Sequence, residues 1–72
     1  MARGTIHDIQ IALGIGNIRP DDGSTDLPFD RGALAAGAFE ELREGQWVAF
    51  AIEPDPRDPA GRRARRLRLL AD

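Results

Sequence analysis

The chain contains no cysteine, no lysine and no tyrosine, and only one tryptophan, one histidine and one serine. Without cysteine there can be no disulfide and no thiolate metal site, and the redox compartment stays open on that count. No apolar run approaches a membrane span and the N-terminus lacks a signal-peptide pattern, so the expectation is a soluble cytoplasmic protein with no membrane partner. A single histidine and a single serine leave little material for nucleophilic catalysis. Ser24 lies in a turn-forming stretch, His7 in a strand-like one, and nothing supplies the third, orienting group of a triad. Gly14-x-Gly16 does not extend to a dinucleotide fingerprint, because no third glycine follows and no helix opens there. Asp21, Asp22 and Asp26 lack the spacing and the closing glutamate of a calcium loop. No metal site and no cofactor is expected, and the reading is a binding module, not an enzyme.

What is present is a short, arginine-only chain. Its 72 residues are expected to form one domain, residues 1–72, burying about 60% of the unfolded chain's surface. All ten basic residues are arginine and the formal net charge is −2, which argues against strong unspecific attraction to phosphate backbones. The charge is unevenly spread. Residues 62–68 carry Arg62, Arg63, Arg65, Arg66 and Arg68 with no acid, whereas Asp21, Asp22, Asp26 and Asp30 make the middle acidic. A solvated arginine face is one account of the first cluster; a local phosphate-binding strip is the other.

The pattern of apolar residues predicts short strands. Ile6, Ile9, Ile11, Leu13, Ile15 and Ile18 are β-branched or aliphatic and uncapped, giving strands over about 4–11 and 13–19. Arg19-Pro20-Asp21-Asp22-Gly23-Ser24 is a turn, with proline presetting φ and glycine accepting φ > 0. A third strand over 26–30 contains Pro28, which cannot donate to a ladder and so belongs at an edge or bulge. Residues 31–44 hold glycines that favour one short helical turn inside a long connection. From Trp47 to Glu53 the residues alternate, predicting Val48, Phe50 and Ile52 on one face and Trp47, Ala49 and Ala51 on the other. Pro54 to Gly61 reads as a loop stiffened by three prolines, and the last strand as about 62–70. The expected fold is all-β: a small five-stranded antiparallel OB-type barrel, with an SH3-like barrel as the other candidate.

Phe39-x-x-Leu42-x-Glu44-Gly45-Gln46-x-Val48-x-Phe50-x-Ile52, followed by Gly61, Ala64, Leu67 and Leu70 at steps of three, resembles the second half of a cold-shock domain. In the first half, Gly4-Thr5-Ile6 stands at that family's opening. Leu13-Gly14-Ile15-Gly16-Asn17-Ile18 stands at its first nucleic-acid-binding motif, keeping both glycines and the final isoleucine but placing Ile15 and Asn17 at the aromatic positions. The second motif corresponds to Leu27-Pro28-Phe29-Asp30-Arg31, with Phe29 at an inward position, and Asp8 stands at the tryptophan of the first strand. The resemblance implies a face for single-stranded RNA or DNA, in which only Phe39 survives of the stacking aromatics. Each stack is worth about 1–3 kcal/mol, so their loss implies weak or selective binding.

Two functions therefore stand side by side. In the first, a cold-shock-like regulator binds single-stranded nucleic acid through Arg31, Phe39, Arg62, Arg63, Ile15 and Asn17, the arginine planes supplementing the lone aromatic. In the second, the barrel is a protein-interaction module, homodimeric or bound to another partner, through an aliphatic stripe of Ile9, Ile11 and Leu13 together with Trp47. Ancestral use of the fold favours the first.

Overall fold

A computed structural model describes residues 1–35 and 37–70. Five strands, β1 (Ala2–Gln10), β2 (Ile15–Pro20), β3 (Leu27–Asp30), β4 (Trp47–Asp55) and β5 (Asp58–Leu69), form one antiparallel sheet in the order β3-β2-β1-β4-β5. This is the arrangement of a small OB-type barrel. The connection from β3 to β4 contains two 3₁₀ turns, Arg31–Ala33 and Phe39–Glu41, where one helical turn is expected. Leu34 bridges in parallel to Leu67, and the Ala35 amide donates to the Leu67 carbonyl at 2.8 Å, bringing this connection onto β5. No helix among the described residues is long and apolar enough to cross a membrane.

The core is small and almost wholly aliphatic and aromatic. Ile6, Ile18, Leu42, Val48, Phe50 and Leu67 are fully buried, with Phe29, Phe39, Leu27, Ala33 and Ala64 around them. Strict alternation cannot place all of these inside, and two bulges resolve the conflict. Between Ile6 and Asp8 the pairing with β2 advances two residues on β1 for one on β2, so His7 is the extra residue. The inward set accordingly shifts from Gly4 and Ile6 to Ile9. Between Arg65 and Arg68 the ladder advances three residues on β5 against two on β4, and Arg66 takes φ 54°. That is the left-handed conformation in which a bulge absorbs an extra residue, and it puts Ala64 and Leu67 on the same side. The three-residue spacing of the last strand is the trace of this bulge.

Several expectations are corrected by these pairings. Ile52 keeps the parity of Val48 and Phe50 and lies opposite the buried Ala64, as expected, but it is 44% exposed and stands outside the core cluster. It borders an open hollow with Leu27, Pro28, Gly61 and Arg62. Ala49 is only 4% exposed although it lies opposite Val48 and Phe50 in parity, and it stands outside the core cluster. Its strand neighbours are Arg3 and Arg68, whose long stems shade so small a side chain. The proline-rich segment is not a loop from 54 to 61. Asp55 pairs with Asp58 across a two-residue turn, and the register then jumps to Pro54 opposite Arg62. Pro59 to Gly61 bulge out of the ladder, so Pro59 costs no hydrogen bond. Finally β2 starts at Ile15, because Ile11 to Gly14 form the turn, closed by the Gly14 amide on the Gln10 carbonyl at 2.9 Å.

One close approach fixes β3 against β2. A Cβ built on Gly16 would lie 2.7 Å from the Phe29 ring and 2.8 Å from the Asp8 carbonyl oxygen, so only glycine lets that ring lie on the strand. Gly16→Ala is therefore expected to lower stability by about 1–3 kcal/mol through overpacking, read by denaturant melts. In the same assay Phe50→Ala should cost about 3–5 kcal/mol, as for a large buried aromatic, and more than Trp47→Ala, whose side chain is half exposed. The reverse ranking would refute the register of β4.

Candidate nucleic-acid interface

The outer face of β1, β2 and β3 is built from pairs read directly off the ladder. Gln10 lies beside Ile15 and Ile15 beside Asp30; Asp8 lies beside Asn17 and Asn17 beside Pro28. Side chains paired across strands project to the same side. Ile15 and Asn17 thus share this face. Asn17 Nδ2 donates to Asp8 at 3.1 Å, so one of the two former aromatic positions is spent on holding an acid.

Phe39 lies elsewhere. It is 4% exposed and packs against Phe29 with ring centroids 5.9 Å apart at 52°. It is a core residue, not a stacking platform. The reason is Arg31, whose guanidinium carbon sits 5.0 Å above the Phe39 ring. The same guanidinium donates to the Ile11 carbonyl at 2.9 Å and pairs with Glu40. What this corner offers to solvent is the outer plane of Arg31, half exposed, with Phe39 as its support.

Acids across this face are matched by cations from neighbouring elements. Asp30 lies 3.6 Å from Arg65 and 3.8 Å from Arg57, which links β3 to β5 where no ladder joins them. Asp26 Oδ2 is 2.6 Å from His7 Nδ1, and Arg19 reaches the same imidazole at 3.0 Å and Asp26 at 3.9 Å. The histidine thus does have an acidic neighbour, which its position in the sequence does not reveal. Ser24, though, bonds Asp22 in the turn and takes no part. Exposed pairs of this kind contribute about 0–1 kcal/mol each. Their larger effect is to offset the charge of Arg19, Arg57 and Arg65, and of Arg31, which keeps only an open guanidinium plane.

Two of the expected cations remain free. Arg62 is exposed and Arg63 half-buried, and neither forms an ion pair among the described residues. Arg63 borders a cleft of about 210 Å³ with Ile15, Gly16, Asn17, Pro28, Phe29, Asp30, Asp55, Arg57 and Ala64, and its buried Nε has no partner. The cleft therefore gathers Ile15, Asn17 and Arg63 in one place. Arg62 lies beyond its margin, beside Ile52, Pro54 and Pro59. Of the aliphatic stripe, Ile9 and Ile11 are partly buried against the core, which the bulge at His7 makes possible. Leu13, 68% exposed, stands at the tip of the β1–β2 turn, and Trp47 is 48% exposed on another part of the sheet. The four residues do not form one stripe. No cluster of three or more metal-ligating side chains occurs among the described residues.

Hydrogen bonding from Arg31 holds the Glu40 carboxyl below the usual 4.5. A depressed carboxylate adds stability above its ordinary range and loses it as pH falls through the lowered value. NMR titration of the Glu40 carboxyl carbon should therefore give a midpoint below 4.5 that rises in Arg31→Gln. An unchanged midpoint would mean that Arg31 does not hold Glu40.

No family model matches the chain. Individual relatives do. The chain is 34% identical over 55 residues to the probable cold shock protein y4cH of Sinorhizobium fredii, covering 76% of this chain and 80% of that one. It is 45% identical over 47 residues to the cold shock-like protein CspG of Escherichia coli, covering 65% and 67% respectively. It is also 36% identical over 52 residues to glycine-rich protein 2 of Nicotiana sylvestris, covering 72% of this chain but only 24% of that longer protein.

Proposed function

Because this chain belongs to the cold-shock protein family, we propose that it is a cytoplasmic regulator that binds single-stranded RNA or DNA weakly or selectively. The observation that carries the proposal is the cleft where Arg63, with an unpartnered Nε, meets Ile15, Asn17 and Pro28. A base edge entering there would meet the accessible end of the Arg63 guanidinium while its ring lies on Ile15 and Pro28. Arg31 supplies a flat cation backed by Phe39 on which a second base can stack. Arg62, beyond the cleft's margin, is exposed and, among the described residues, unpaired, which leaves it for a phosphate. Such contacts are few and have lost the aromatic stacks worth about 1–3 kcal/mol apiece, so affinity is low. Acids already paired on the face limit repulsion without adding attraction. Membership of the family agrees with a binding module and not an enzyme.

A second reading is supported by Leu13, which stands exposed at the tip of a turn whose neighbour Ile11 is already used by the core. A protein partner or second copy would grip the tip and Ile15 beside it. Leu13→Asp should then leave the thermal melt unchanged and abolish self-association or partner capture, since an apolar contact cannot take an unpaired charge.

The main proposal predicts that oligopyrimidine binding weakens as salt rises, with a log–log slope near −0.7 per phosphate contact and about two to four contacts. NMR shifts on titration should cluster at Ile15, Asn17, Arg31 and Arg63, and Arg62→Glu with Arg63→Glu should remove them. Tight, salt-insensitive binding of a hexanucleotide would sink this reading.

A further inference from the structure

A second cationic face lies outside the region just described. Among the described residues, Arg3, Arg66 and Arg68 form no ion pair, and all three are exposed. Arg68 reaches only the Met1 sulfur, at 3.8 Å. The ladder places two of them together. Ala49 of β4 lies opposite Arg3 of β1 on one side and Arg68 of β5 on the other, and Trp47 lies opposite Thr5. With strands about 4.8 Å apart, the backbones of Arg3 and Arg68 are about 10 Å apart across the alanine. Val48 and Phe50, of opposite parity, are fully buried, so this row faces outward.

Three properties make this row fit one kind of partner. Its floor is smooth, being Ala49 and Ala51. It presents the only tryptophan of the chain, 48% exposed. Along β4 the first acid is Glu53, which sits opposite Arg63. On the far side of Trp47, Asp21 and Asp26 border a hollow with Thr5 and Arg19, and Asp26 is already paired with His7 and Arg19. An exposed indole beside arginines, without neutralising acids between them, combines base stacking with phosphate attraction. A second copy fits poorly, since it would bring arginine against arginine.

We infer that the outer face of β1, β4 and β5 is a second contact for single-stranded nucleic acid, with a base on Trp47 and phosphates at Arg3 and Arg68, Arg66 lying further along the same strand. This rests on the reading that the protein binds single strands at all, and places an additional segment of the ligand away from the Arg63 cleft.

The single tryptophan makes the test direct. Full-length protein is titrated with a twelve-residue oligothymidine, following both Trp47 emission and the anisotropy of a label on the oligonucleotide. Arg3→Gln with Arg68→Gln keeps much of each stem over Ala49, and a thermal melt checks that the variant remains folded; if it does not, Arg68→Gln alone is used. The expected result is quenching of Trp47 on binding, at least fivefold weaker binding in Trp47→Ala, and a salt slope smaller by about 1.4 in the double arginine variant. Binding by anisotropy with unchanged emission and unaffected variants would overturn the inference while leaving the proposed function intact. Absence of any binding would overturn both. Concentration-dependent burial of Trp47 without oligonucleotide would make a second copy the occupant and also refute it.

Discussion

The ring of Phe29 lying on the bare Cα of Gly16 is the contact from which the family-like face of this protein is built. It fixes β3 on β2. Phe39 then packs on Phe29, Arg31 lies on Phe39, and Glu40 and the Ile11 carbonyl hold Arg31. These five contacts tie the strand edge, the long connection and the β1–β2 turn together. Each link is modest, but each needs the one beneath it. The absence of a side chain at position 16 therefore shapes residues more than twenty positions away.

This stack also explains how the face changed character. Where an aromatic would present its π-surface to solvent, Phe39 turns inward and a guanidinium plane covers it. Asp26 and Asp30, which would repel a polyanion, lie beside arginines, Arg19 for the first and Arg65 with Arg57 for the second, whereas Asp8 accepts from the neutral Asn17 and keeps its charge. Apart from Asp8, the acids of this surface are offset rather than exposed as a negative patch. Its remaining attraction is local, at Arg63 in the cleft and at the outer plane of Arg31.

The strands and their order of appearance were legible because apolar alternation and turn residues are local signals. The two bulges were less so. A period-two reading puts Ile9 on the wrong side of β1 and cannot see that Ile52, on the core side of β4, stays exposed. The steps of three among Ala64, Leu67 and Leu70 did carry the β5 bulge, once a resemblance gave them meaning. The pairing of charges had no such trace. Nothing in the spacing of Asp30, Arg57 and Arg65 announces that they meet, since they come together only when β3 and β5 approach across the open seam. The fate of Phe39 was hidden for the same reason, as it depends on an arginine eight residues earlier folding back over it.

That open seam has a further consequence. β3 and β5 stand at the two ends of the sheet order, and no ladder joins them. An exposed strand edge invites another chain to add itself, the first step of aggregation. β3 guards its edge by being four residues long and carrying Pro28. β5 is twelve residues long and has no such brevity, but five of its positions from 62 to 68 are arginine. Two such strands approaching one another would meet as like charges. The arginines proposed to meet phosphate would therefore also keep one barrel from growing onto the next.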